Sequence, residues 1–159
     1  MIVVADTSPI NYLVLIGQQD ILPALFGRVI IPQAVFEELQ RDSAPSIVRD
    51  WVAGSPGWLE VQPSPAVEDA SLAKLHAGER EAILLVEQLH GDLLLIDERK
   101  GRRIAASRNI AVLGTVGILE QAALRGLIDL PETLARLQET SIRVPDELIQ
   151  RLSEQYRKK

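Results

Sequence analysis

LLLID, residues 93–97, is apolar at four successive positions and then closes on an acid. A strand with one wet face alternates apolar and polar residues; an unbroken apolar run is what a strand buried on both faces requires, as in the middle of a parallel sheet. The same figure stands at the start of the chain, where IVVAD occupies residues 2–6. Shorter apolar, β-branched runs follow at residues 29–31, 58–61 and 110–113. Helical patterns lie between most of these runs. The expected class is therefore α/β, a three-layer arrangement with a mostly parallel central sheet flanked by helices.

Proline and glycine punctuate the helices. Pro9 stands just inside a start capped by Thr7 or Ser8, with Gly17 as the stop; Pro32 opens a helix to about Arg41; Pro45 and Gly54 bracket a third. Another runs from about Glu79 to His90 and a further one from Thr115 to Arg125, while Pro131 and Pro145 introduce two short ones. His76 and His90 are both expected at helix C-termini, without a catalytic role. The loop over residues 54–65 holds three prolines and two glycines, but the strand-like run inside it argues for a structured connection. With 159 residues and no internal repeat, one domain is expected over residues 1–152, with 153–159 as a frayed tail or a contact segment.

Composition narrows the class. A hydrophobic fraction of 47% with 25% charged residues is that of a soluble globular protein. The absence of cysteine removes disulfides, thiolate metal sites and cysteine nucleophiles, and suits a reducing cytoplasm. No stretch approaches the roughly 20 apolar residues of a membrane span. No basic residue precedes the first apolar run and Asp6 interrupts it, unlike a signal peptide. The net charge of −5 argues mildly against a protein that grips phosphate through its global charge.

The acids carry the chemistry. Asp6 and Asp97 each follow an apolar strand, so in a parallel sheet both emerge at carboxyl ends, the edge where open α/β folds place their ligands. If the two strands are neighbours, the carboxylates lie close enough to share a cation. Either one alone is also explained as a helix N-cap. Helical phase separates the glutamates: Glu38 flanks the apolar face formed by Val35, Phe36 and Leu39, whereas Glu37 points away. Glu79 falls near the side set by Ala82, Leu85, Val86 and Leu89, with Glu81 on the opposite border. Glu79 also suits the first turn of a helix as an acid facing its dipole. Clustered acids repel one another unless a cation sits among them. Oxygen donors, without cysteine and with two histidines at no ligand-like spacing, favour Mg²⁺ or Mn²⁺ over Zn²⁺.

With these residues in view, the chain resembles the PIN-domain superfamily, most closely the VapC-like branch of toxin ribonucleases catalogued among domains of unknown function. The resemblance rests on VVADTSPINYL, VIIPQAVFEEL, GEREAILLVEQL, LLLIDERKGRRIA and VLGTVGILEQAALRGLI, in the family's order from Val3 to Ile128. It implies metal-binding acids at Asp6, Glu38, Glu79 and Asp97, hydroxyl and amide neighbours at Thr7, Ser8 and Asn11, and a supporting residue at Thr115. It further implies a parallel sheet flanked by helices, frequent homodimers and an antitoxin partner that blocks the site. A second acid near this strand end is common among relatives, and Glu98 stands there.

The expected activity is divalent-metal-dependent hydrolysis of RNA phosphodiester bonds by one or two Mg²⁺ or Mn²⁺ ions. Asp6 and Asp97 are the expected direct ligands, with Glu79 completing the site and Glu38 an outer ligand or a water-orienting group. Ser8 and Thr115 suit hydrogen bonds to an acid or phosphate, and equally suit helix caps. Arg99, Lys100, Arg102, Arg103 and Arg108 follow Asp97, with Arg99, Arg102 and Arg103 the expected RNA contacts; the run reads equally as a solvated helix face. The alternative function is a catalytically silent PIN-like binding or regulatory protein without a cognate antitoxin. A haloacid-dehalogenase phosphatase would need an acid at position 8, where Ser8 stands. No P-loop or GxGxxG pattern follows any strand.

Overall fold

The computed structural model describes residues 1–63 and 67–157 of the chain. The expected loop and tail include Ser64, Pro65, Lys158 and Lys159, which lie outside the described residues. Five strands form one all-parallel sheet: β1 (Val3–Ala5), β2 (Val29–Pro32), β3 (Leu59–Gln62), β4 (Leu93–Leu95) and β5 (Val112–Leu113). Their order is β3-β2-β1-β4-β5. The chain thus builds outward from β1 on one side, crosses over and continues on the other. The crevice between β1 and β4 is the topological switch point of the sheet.

Nine α-helices occur among the described residues: α1 (Thr7–Leu15), α2 (Ile21–Phe26), α3 (Gln33–Leu39), α4 (Ser46–Ala53), α5 (Ala77–Leu89), α6 (Arg99–Ser107), α7 (Thr115–Leu124), α8 (Leu130–Gln138) and α9 (Asp146–Gln155). Strand side chains alternate between two cores. Val3, Ala5, Val29, Ile31 and Leu95 pack with Ile10, Leu13, Ile118 and Leu134. Val4, Ile30, Leu94 and Ile96 face the opposite core with Ile83, Leu85 and Ala105. Both faces of β1 and β4 are therefore covered, which explains why residues 93–96 are all apolar.

Several details depart from the sequence signals. α2, a six-residue helix with Pro23 in its first turn, lies outside the expected helices, although Asp20 stands at its N-cap and Gly27, at φ 75°, at its C-cap. His76 is the N-cap of α5 and not a C-terminal residue, because the helix begins two residues before the acid taken as its start; His90 does stand at the C-terminal end, in the left-handed region at φ 51°. α9 runs on to Gln155, past residue 152, and the Tyr156 hydroxyl donates to Glu120 of α7 at 3.2 Å. No helix among the described residues is long and apolar enough to cross a membrane.

Candidate active site

β1 and β4 pair in parallel with Ala5 opposite Leu95, so the residues that follow, Asp6 and Asp97, leave the same edge of adjacent strands. The Asp6 amide still donates to the Leu95 carbonyl at 2.9 Å, extending the ladder to the acid itself. Asp6 occupies the N-cap position of α1 but makes no side-chain capping hydrogen bond. It is 5% exposed. Burial pushes its carboxyl up to about 7; the Thr7 backbone amide opposes the shift, and the Glu79, Glu38 and Asp97 carboxylates add to it.

Asp97 is held by Thr115 at the first turn of α7. The Thr115 amide donates to Oδ1 and its hydroxyl to Oδ2, each at 2.7 Å. Burial raises the Asp97 carboxyl above its ordinary range, against these two hydrogen bonds and the nearby charge of Arg102. Thr115 is wholly buried, so the hydroxyl has a structural reason to pair as well as a role in aiming the acid.

The two glutamates approach from α3 and α5. Glu38 is half-buried, accepts a hydrogen bond from the Thr7 hydroxyl through Oε2 and lies 3.9 Å from Arg41 through Oε1, whereas Glu37 is exposed. Glu79 is 5% exposed. Its Oε1 accepts from the His76 amide at 3.1 Å, closing the first turn of α5. Its Oε2 is buried without a hydrogen-bond partner. Burial raises the Glu79 carboxyl, the His76 amide and imidazole oppose this, and the charges of Glu98 and Glu38 add to it. Glu81 turns elsewhere, accepting from the Ala34 amide at 3.3 Å.

Two glycines make this crowding possible. A Cβ on Gly78 would stand 2.7 Å from Glu38 Oε2 and 3.2 Å from Asp6 Oδ1; one on Gly101 would stand 2.9 Å from the orphaned Glu79 Oε2. Side chains there would fill the space into which the carboxylates point. Ser8 and Tyr12 of α1 line, with Asp97, Glu98, Arg99 and Arg102, an open groove of about 700 Å³ beside the acids. Asn11, on the same helix, is half-buried and not among the lining residues. Glu98, exposed at the N-cap of α6, faces this groove and the Glu79 carboxyl.

The basic run after Asp97 divides. Arg99 and Arg102 line the groove; Arg103 is exposed and does not. Arg108 is turned away and bound by acids, at 2.6 Å from Glu87 and 2.9 Å from Asp69, which corrects its inclusion among cations available to a substrate. Sequence reasoning missed Arg143, which reaches the groove from the connection between α8 and α9. The Tyr12 hydroxyl and Ser141 Oγ, 3.2 Å apart, tie that connection to α1. No periodicity signals that a segment 46 residues beyond Asp97 returns to it.

The donor set is all oxygen, and it includes a buried carboxylate oxygen with no donor and an aspartate whose negative form is disfavoured by its surroundings. These features suit a hard divalent cation. Among the described residues, no three carboxylate or imidazole groups stand close enough to enclose an ion by themselves. Mg²⁺ commonly takes one or two carboxylates and keeps several waters, so an open site of this kind is compatible with it.

Acids at the switch point of a five-stranded parallel sheet with helices on both faces define a PIN-type α/β domain. The chain belongs to the PIN-domain family described as DUF3368, whose model matches residues 2–158. Comparison with curated proteins and with solved structures gave no match. PIN domains are in general nucleases that use divalent metals.

Proposed function

We propose that this protein is a divalent-metal-dependent endoribonuclease of the VapC-like kind, acting as the toxin of a type II toxin–antitoxin pair. The observation that carries the reading is the pair Asp6 and Asp97 at the ends of adjacent buried strands, with the buried Glu79, whose Oε2 is unpartnered, near enough to raise the Asp6 carboxyl. When bound, Mg²⁺ or Mn²⁺ supplies a water of lowered pKa and neutralises charge developing on the phosphate. Asp6 and Asp97 would hold the ion, and Thr115 fixes the Asp97 carboxylate so that both its oxygens keep their direction. Glu79 completes the site. Glu38, held by Thr7, orients an attacking water from the α3 side. Ser8, Arg99 and Arg102 bind the phosphate in the groove, while Asn11 supports α1 at the edge of the site.

A cytoplasmic homodimer whose groove is covered by an antitoxin completes the proposal. Purified protein incubated with RNA in Mn²⁺ is expected to cleave it, with cleavage lost in EDTA and reduced to background by Asp6→Asn. Equal background cleavage by wild type and variant would falsify the nuclease reading. A second reading, a silent binding module, is favoured by one observation: the described acids do not form a closed cage. Under that reading the RNA is retained intact in Mn²⁺.

A further inference from the structure

Although the chain carries a net charge of −5, four of its cations without an ion pair line one continuous surface. Arg28, Arg41, Arg49, Arg108 and Arg136 all lie against carboxylates. Arg99, Arg102, Arg143 and Arg151 form no ion pair among the described residues, and all four are exposed. They line two grooves that join at Asp97. The first is the groove beside the acids. The second, of about 410 Å³, shares Asp97, Arg102, Ile142 and Arg143 with it and continues between α7 and α9.

The second groove has a different lining. Leu113, Val116, Leu148 and Leu152 give it an apolar floor, and Arg151 stands at its far side. An apolar slot flanked by guanidinium groups, with the one further carboxylate of its wall, Glu120, accepting from the Tyr156 hydroxyl, is complementary to a nucleotide, which presents an apolar base face and an anionic phosphate. The volume lies in the range of small-ligand sites. We propose that the second groove is the subsite for the nucleotide next to the scissile phosphate of a single-stranded RNA. The base lies over Val116 and Leu148, Arg102 and Arg143 hold the phosphate between the two grooves, and Arg151 meets the following one. Single strands fit because a base must leave its stack to reach the floor. No aromatic ring lines the second groove, so bases are accepted with little discrimination.

This inference rests on the ribonuclease reading for its substrate, but its test does not depend on cleavage. The full chain is titrated in EDTA against a fluorescein-labelled single-stranded RNA decanucleotide of mixed sequence, read by anisotropy. The double variant Arg143→Gln/Arg151→Gln is compared with Arg28→Gln/Arg125→Gln, which removes the same charge outside both grooves. The groove pair is expected to weaken binding about tenfold or more and the control pair about threefold at most, as for loss of charged hydrogen bonds against loss of diffuse attraction. Adenosine monophosphate is expected to shift the methyl resonances of Val116 and Leu148 more than ribose 5-phosphate does. Equal losses in the two double variants, or methyl shifts that do not require the base, overturn the subsite. RNA held through the groove but left uncut in Mn²⁺ overturns the ribonuclease reading and keeps the subsite; RNA cut with an affinity indifferent to the groove does the reverse.

Discussion

The Asp6 carboxyl, pushed from an ordinary 3.8 to about 7, keeps its proton in the folded protein at pH values where the unfolded chain has lost it. Between those values the folded state binds the extra proton, so its stability falls as pH rises through the window. In EDTA at pH 8, Asp6→Asn is therefore expected to melt above wild type, by about 2–4 °C for each kcal/mol relieved, with the gap closing toward pH 4. Adding Mn²⁺ should raise the wild-type Tm more than that of the variant. A variant that melts below wild type at pH 8 in EDTA counts against a charge-strained site. Thr115→Val removes one of the two hydrogen bonds that aim Asp97; by the usual weight of groups that orient metal ligands, the Mn²⁺ concentration for half-saturation should rise about tenfold. Isothermal calorimetry in Mn²⁺ measures this directly, and an unchanged midpoint would place the ion away from Asp97. At this scale the inward placement of Glu79 was legible, because one helical turn fixes its angle to Ala82 and Val86. The orphaned state of its Oε2 was not, since that depends on Gly101 from another element.

α6 shows how one helix can serve two purposes. Arg102 lines the grooves, while Arg108 at its end joins Glu87 of α5 and Asp69. The two arginines should therefore fail differently. Arg108→Ala is expected to cost about 1 kcal/mol of stability and leave RNA affinity in EDTA unaltered. Arg102→Ala should weaken RNA binding several-fold with little change in Tm. Thermal melts and anisotropy on the two variants give the comparison; reversed effects would mean that the basic run meets RNA at its far end. Most elements were legible because β1 and β4 have apolar runs that only a covered strand explains, and because Pro32, Pro45 and Pro145 stand immediately before α3, α4 and α9. α2 has no proline before it, and its marks, Asp20 and Gly27, bracket too short a run to declare a helix. The exposed basic face of α6 stands opposite a narrow apolar side formed by Ile104 and Ala105.

Across the whole molecule, the acidic balance and the RNA reading are compatible because Arg99, Arg102, Arg143 and Arg151 line two joined grooves without an ion pair among the described residues. With up to four phosphate contacts to a single strand, the slope of log binding constant against log salt is expected to have a magnitude of about 2–3. A slope near zero in a salt titration would remove phosphate from the account of both grooves. The convergence of Arg143 and Arg151 on Asp97 was beyond sequence reading, because it depends on how α8 and α9 fold back over α7.

The strand order β3-β2-β1-β4-β5 has a consequence for how the protein is made. β1, made before the other four strands, becomes the middle of the sheet, and it lacks one of its two partners until β4 has been synthesised. Asp6 therefore waits for Asp97, Asp97 waits for Thr115, and the groove waits for Arg143. On the ribonuclease reading, a nascent copy therefore has no assembled site until Arg143 has been made, and passes that part of its synthesis inactive toward the messenger and ribosomal RNA around it.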